Sequence, residues 1–130
     1  MGKKKIMILV GSIVLVALII CGLLISTGSK RDDVYLTNFH VSEDESKMTL
    51  DVLVTNSAGY VRNLKVKQGG DSYYITFYST SGLNNRLGAK DKFEIDLNPA
   101  CGEIYFYSGG GGYKVVLDKD DNINEWVMIK

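Results

Sequence analysis

His40 is the only histidine in the chain, so it is the first residue to consider for catalysis or metal binding. It lies in the segment Phe39-His40-Val41, whose composition is typical of a β-strand. A catalytic histidine needs a nucleophile to activate, and a zinc site needs further ligands. The sequence contains neither a serine in a nucleophile elbow nor a cluster of cysteine and histidine. We therefore expect a partly exposed strand residue at position 40 and no enzyme activity.

Asp118, Asp120 and Asn122 follow the D-x-D-x-N spacing of a calcium-binding loop. In an EF-hand loop, glycine at the sixth position makes the sharp turn and glutamate at the twelfth binds the ion through both oxygens. Here those positions hold Ile123 and Ile129, and the flanking residues alternate as strands do. The segment predicts an acidic hairpin turn, with weak calcium binding as the alternative, and no metal site is assigned.

Two short segments have the composition of a functional loop without its context. Gly109–Gly112 could cradle a phosphate, but a P-loop continues into Lys, Ser or Thr and a helix, whereas Tyr113 begins another strand. A flexible connection is predicted, with a ligand-contacting loop as the alternative. Glu43–Glu45 places three carboxylates at a turn, without the cleft and shielded acid that glycoside hydrolysis needs. It predicts a solvated turn, and no cofactor is implied by either segment.

Tyrosine is the most distinctive residue type, with eight in the chain. Tyrosine combines a large rigid contact area with a polar tip, which suits the recognition of proteins or sugars. The alternative is that tyrosine, a favoured strand residue, fills cross-strand pairs. Four tyrosines alternate with apolar residues and should face away from the core: Tyr74, Tyr78, Tyr105 and Tyr107. We predict that these four form a recognition surface.

A period of two dominates the chain after position 31 and predicts seven or eight strands separated by turn residues. An antiparallel two-sheet β-sandwich is the predicted fold, with a small closed barrel as the alternative. The pattern resembles immunoglobulin-like and fibronectin type III-like domains, without the Cys…Trp…Cys spacing of antibodies, and it implies no functional residue. The alternating segments are Asp33–Val41, Met48–Thr55, Tyr60–Lys67, Ser72–Tyr78, Phe93–Leu97, Glu103–Tyr107, Tyr113–Leu117 and Asn124–Ile129.

Strict alternation also assigns side chains to faces. In the first segment it places Tyr35, Thr37, Phe39 and Val41 on one face. In the seventh it places Tyr113, Val115 and Leu117 together.

The N-terminal quarter has a different composition. Residues 1–5 form a basic cap that contains Lys3, Lys4 and Lys5, and the residues from Ile6 to Ile25 carry no charge. A helix of this length spans about 30 Å, the thickness of the bilayer hydrocarbon. Three lysines flank the span on its N-terminal side, and two basic residues, Lys30 and Arg31, flank it on the other, which favours a cytoplasmic N-terminus. We predict a single-pass signal anchor in the plasma membrane at 6–25, a polar linker at 26–31 and an outer domain at 32–130.

Two other fates of this segment remain as alternatives. The small residues of Ser26-Thr27-Gly28 would permit cleavage before Ser29. Cys21 would become lipidated in a lipoprotein, although Ile20 before it is larger than such signals accept.

The net charge of zero is the sum of a positive N-terminal cap and a negative outer part. Twelve basic and fifteen acidic residues follow the span, so the outer part is near −3. A mildly acidic domain disfavours anionic lipid headgroups and nucleic acid. We predict a membrane-anchored, non-catalytic module that binds a protein or acts as a scaffold. The alternative is a carbohydrate- or cell-wall-binding module that uses exposed tyrosines and the loops Ser79–Asp91 and Gly109–Gly112.

Overall fold

The N-terminal residues form one long apolar helix. The computed structural model describes residues 2–24, 27–55, 59–81 and 85–129. Within these ranges, α1 (Lys3–Leu24) is 22 residues long and is apolar enough to cross a membrane. None of its apolar stretch is buried against the rest of the chain. The helix begins three residues before the predicted span, whose last residue, Ile25, lies outside the described residues.

The remainder of the described chain is mostly β, as predicted. The strands are β1 (Thr27–Arg31), β2 (Val34–Val41), β3 (Lys47–Val54), β4 (Val61–Gly69), β5 (Ser72–Thr80), β6 (Lys92–Asp96), β7 (Glu103–Gly109), β8 (Gly112–Asp120) and β9 (Glu125–Met128). Six of them form a larger sheet with the order β1-β5-β7-β8-β9 and with β4 also paired to β5, and three form a smaller sheet with the order β2-β3-β6.

Strand β5 organises the larger sheet because three strands pair with it. β4 takes one edge, while β7 and β1 share the other, β7 along Ser72–Ile75 and β1 along Phe77–Thr80. The β5–β7 pair is parallel and the other pairs of described strands are antiparallel, so the prediction of a wholly antiparallel fold is wrong here. A parallel pair needs a long crossover, and the chain supplies one because it passes through β6 of the smaller sheet between β5 and β7.

β1 occupies the segment predicted to be a linker. Its described part, Thr27–Arg31, is a strand, while Ser26 lies outside the described residues. Gly28 packs closely on β5, because a Cβ atom there would lie 2.5 Å from the carbonyl oxygen of Thr80 and would overlap Ser79 Oγ. A polar segment forms a strand here because the β5 edge beyond β7 offers unpaired backbone groups.

Both sheets contribute to one hydrophobic core. Phe77 of the larger sheet meets Phe93 of the smaller sheet edge-on at 5.7 Å between ring centroids, and it meets Phe106 at 4.7 Å. In β3, β5 and β6 the residues of one face, as the alternation of the sequence indicates, point into this core. The most buried of their side chains are Met48, Leu50, Val52, Tyr73, Ile75, Phe77 and Ile95.

A register shift in β2 changes which face its residues occupy. Pairing with β3 is irregular between Leu36 and Asn38, so Thr37 is an extra residue. Val34 and Leu36 are buried before the shift, whereas Phe39 packs on the core after it. The predicted common face of Tyr35, Thr37, Phe39 and Val41 is therefore wrong at its first two positions.

Candidate functional site

The outer face of the larger sheet carries tyrosines in ring-to-ring contact. Tyr74 of β5 stacks on Tyr105 of β7, with centroids 5.0 Å apart and ring planes 21° apart. Tyr113 of β8 meets Tyr74 edge-on at 5.2 Å. Tyr107 of β7 meets Tyr113 edge-on at 5.7 Å. These four residues form a continuous aromatic surface, the tyrosine cluster.

Strand register explains why these rings meet. Tyr74 lies beside Tyr105 in the parallel pair, and Tyr107 lies opposite Tyr113 in the antiparallel pair. Neighbouring residues on the same face of a sheet are close enough for aromatic rings to touch. Gly69 of β4 makes room on the other side, because a Cβ atom there would lie 3.1 Å from the ring of Tyr74.

Hydroxyl groups of the cluster are held by polar neighbours. Tyr105 Oη donates a hydrogen bond to Glu103 Oε2 at 2.6 Å. This bond, followed by desolvation and the charge of the carboxylate, raises the pKa of Tyr105 to about 12. Tyr113 Oη lies 3.3 Å from Thr76 Oγ1. The outer ends of these rings are therefore fixed as well as their faces.

Two lysines extend the surface. Lys30 Nζ lies 5.6 Å from the ring centroid of Tyr107, and Lys65 Nζ lies 5.2 Å from that of Tyr78. Tyr78 is on the same strand face as Tyr74, but no ring contact among the described residues joins it to the cluster. Three of the four predicted tyrosines thus come together, and Tyr78 lies at the margin.

Tyr113 is the member that sequence reasoning missed. Leu117 pairs with Ile104 and faces the core, but Val115 pairs with Tyr105, so Val116 is an extra residue between them. This irregularity places Tyr113 on the outer face, and the prediction that it shares a face with Leu117 is wrong. Its position opposite Tyr107 across the glycine-rich connection is the sequence feature from which this contact could have been predicted.

His40 is an exposed residue of β2 opposite Thr49. It borders a shallow surface cavity of about 350 Å³ together with Glu45, Glu125 and Trp126. Within the described ranges, no three His, Cys, Asp or Glu side chains are grouped so that they could hold a metal ion.

The two acidic segments form turns at one end of the domain. Asp120 Oδ1 accepts a hydrogen bond from the backbone of Asn122 at 2.9 Å. Asp44 Oδ1 accepts hydrogen bonds from the hydroxyls of Ser42 and Ser46, both at 2.8 Å. These bonds lower the pKa of Asp44 to about 2. Both carboxylates therefore organise their own turns.

Gly109–Gly112 joins β7 to β8. Gly109, Gly110 and Gly111 have φ values of 92°, 60° and 75°, a region that favours glycine. A strand follows them, as the sequence indicates, and Gly109 lies against Asp32 at the end of β1.

A second concave feature lies where β4 begins. The cavity has a volume of about 410 Å³ and lies between the end of β3, the start of β4 and the segment 85–91. This segment belongs to the predicted loop Ser79–Asp91, of which residues 82–84 lie outside the described chain. Val54 and Val61 are among its apolar lining, while Arg86 and Lys90 add positive charge. The Arg86 guanidinium lies 5.7 Å from the ring centroid of Tyr60.

The fold and the tyrosine cluster together define a class of protein, a two-sheet β domain with an apolar N-terminal helix and an aromatic outer face. No protein-family model, no curated protein and no solved structure matches the chain. Function is therefore inferred from the geometry of its own residues.

Proposed function

We propose that this chain is a single-pass membrane protein of the cell envelope whose outer domain binds a protein partner through the tyrosine cluster, without chemistry of its own. α1 is the anchor in this proposal, because 22 residues give a helix about 33 Å long. Lys3–Lys5 before the span favour a cytoplasmic N-terminus and a C-terminal domain outside the plasma membrane.

β1 supports retention of the anchor. Cleavage before Ser29 would divide a strand that pairs with β5, and the backbone N–H of Ser29 itself donates to Ser79 Oγ at 3.1 Å. The small residue Gly28, which suggested a cleavage site, has a structural reason in its close packing on Thr80.

The shared core of the two sheets supports a β-sandwich, of the immunoglobulin-like or fibronectin type III-like kind that the strand pattern resembles. In such a domain the inner sheet faces form the core, and the outer sheet faces and the connections are available for binding.

The tyrosine cluster is the observation that carries the proposal. Tyrosine is enriched among the residues that dominate binding energy in protein interfaces, because it buries a large area at a small entropic cost. Tyr113 is 38% exposed, and its partners in the cluster are half-buried and mutually packed. The surface is therefore ordered before a partner arrives, which reduces the cost of binding.

Ring orientation favours a protein over a sugar. A sugar stacks its C–H groups flat on an open aromatic face. Here Tyr74 and Tyr105 cover each other, and Lys30 and Lys65 lie over the rings of Tyr107 and Tyr78. The cluster presents ring edges and hydroxyls instead, which suit the mixed contacts of a protein interface.

Photo-cross-linking in the native membrane tests this proposal. In the full chain, Tyr113 or Tyr107 is replaced by p-benzoylphenylalanine, with Tyr35 of the smaller sheet, also 38% exposed, as the matched control position. We expect the same partner to be captured from positions 113 and 107 and not from position 35. The double variant Tyr107→Thr/Tyr113→Thr should then bind the purified partner at least about tenfold more weakly.

Identical capture from all three positions, or unchanged affinity in the double variant, would contradict the proposal. A glycan that binds the full chain and loses affinity in the same double variant would establish the carbohydrate alternative instead.

A further inference from the structure

One end of the domain must lie beside the helix. β1 begins at Thr27, three residues after Leu24, and three residues of chain reach at most about 11 Å. Thr27 pairs with Thr80, and the backbone N–H of Thr80 donates to the carbonyl oxygen of Tyr60 at 2.9 Å. Adjacent strands are about 4.8 Å apart, so these three strand ends are close neighbours of the helix end. If α1 crosses the membrane, as proposed above, this end of the domain lies at its surface.

Basic residues gather at this end. Arg86 lies over the ring of Tyr60, and the backbone N–H of Lys90 donates to Val61 at 2.8 Å, which brings the segment 85–91 against the start of β4. Arg62 follows Val61 and lies close to Gly88. Three acidic residues also lie at this end: Asp91 belongs to the segment, and Asp32 and Asp33 follow β1, where the backbone N–H of Thr55 donates to the carbonyl oxygen of Asp33 at 2.9 Å. No salt bridge between described residues engages Arg62, Arg86 or Lys90.

The opposite end of the domain is acidic. Hydrogen bonds of 2.7 Å tie its connections together, from Leu97 N to Ser46 O and from Gly102 N to Asp71 O. The four connections at that end, 42–46, 70–71, 97–102 and 121–124, contain five acidic residues and no basic one. The average charge near −3 therefore hides a charge asymmetry along the domain.

The cavity beside the segment 85–91 has a lining that is complementary to a phospholipid. Its volume is about 410 Å³, and it combines the apolar side chains of Val54 and Val61 with the cations of Arg86 and Lys90. Leu87 of the same segment is 50% exposed. A phospholipid likewise joins an anionic phosphate to an apolar glycerol and acyl region.

We propose that the segment 85–91, together with Arg62, binds the phosphate groups of anionic phospholipids next to the anchor. Each basic residue near an anionic membrane surface adds a modest attraction. The short tether makes these contacts intramolecular at high effective concentration, so a weak individual affinity is sufficient. The domain is thereby oriented with its acidic end away from the membrane and with the tyrosine cluster on its side.

Hydrogen–deuterium exchange of the full chain in lipid nanodiscs tests the inference. One bilayer contains phosphatidylcholine alone, and the other also contains the anionic lipid phosphatidylglycerol. We expect the amides of residues 85–91 to exchange at least about fivefold more slowly in the anionic bilayer. The variant Arg86→Glu/Lys90→Glu should lose this difference. Lys67→Glu/Lys119→Glu, which makes the same charge change at lysines of β4 and β8 away from this end, should keep it.

Equal exchange of the segment in both bilayers would overturn the inference, as would equal loss of protection in both double variants. Exchange of the strand amides shows whether each variant is folded. Protection by inorganic phosphate in the phosphatidylcholine bilayer would indicate a free-anion site instead of a lipid site. If alkaline carbonate extracts the chain from membranes, the anchor itself is wrong. A carbonate-resistant chain with an unprotected segment refutes only the lipid contact.

Discussion

Asp44 shows how a single carboxylate organises a turn. Its Oδ1 accepts hydrogen bonds from Ser42 Oγ, Ser46 Oγ and the backbone N–H of Ser46, and these bonds lower its pKa to about 2. The folded pKa lies below the ordinary value of 3.8. The bonds therefore stabilise the fold above about pH 4, and this contribution is lost as the pH falls toward 2.

We expect Ser46→Ala to raise the pKa of Asp44, since it removes one of these donors. Carbon-detected NMR titration of the Asp44 carboxyl group measures the change. Ser108→Ala, at an exposed serine far from this turn, is the control and should leave the midpoint in place. An unchanged midpoint in Ser46→Ala would show that the hydrogen bonds do not set the pKa.

Tyr105 is perturbed in the opposite direction. Its hydroxyl donates to Glu103, and the pKa is raised to about 12. Because the folded pKa is above that of the unfolded chain, the stabilising contribution is complete below about pH 10 and is lost as the pH rises through 12. Glu103→Ala should return the pKa toward the ordinary tyrosine value.

NMR of ring-labelled tyrosine checks this expectation, with Glu125→Ala of the exposed β9 end as the control. A pKa of Tyr105 that stays near 12 without Glu103 would assign the shift to burial instead.

At the scale of elements, alternation predicted seven or eight strands, whereas the described residues form nine. The strands that alternate each have one face on the core. β1 gives no such signal, since it pairs by its backbone and carries polar side chains. Alternation also fails where a strand gains a residue, as at Thr37 and Val116. The tyrosine cluster was therefore predictable only in part. Alternation placed Tyr74, Tyr105 and Tyr107 on the outer face, whereas the face of Tyr113 depends on the extra residue Val116.

Gly28 lies close to β5, with no room for a side chain between the two strands. We expect Gly28→Ala to destabilise the domain by about 1–3 kcal/mol, because the added Cβ would overlap Ser79 Oγ and the carbonyl oxygen of Thr80. Urea denaturation of the full chain measures this change. Gly102→Ala is the matched control, since the nearest atom to its new Cβ lies 3.9 Å away. Equal effects of the two variants would mean that β1 is not held against β5.

At the scale of the molecule, charge and apolar surface are separated along the chain and along the domain. The helix carries unburied apolar side chains, the domain end next to it carries Arg62, Arg86 and Lys90, and the far end carries carboxylates. The order of residues predicts the first of these features directly. The second depends on which connections the fold brings together, which alternation alone does not specify.

β1 joins these two parts of the molecule, because it follows the helix and belongs to the sheet. A chain that begins at Thr27 should therefore unfold cooperatively. In a chain that begins at Asp32, the free energy of unfolding should be lower by about 1–3 kcal/mol and the denaturant m value should be smaller. The shorter chain uncovers the edge of β5 at Phe77 and Thr80, which are 1% and 0% exposed. A chain that begins at Ser29 tests the cleavage alternative directly and should fall between the two. Equal stability of all three chains in urea would mean that residues 27–31 act as a linker, as the sequence predicts. A processed form of the protein would then be as stable as the anchored form.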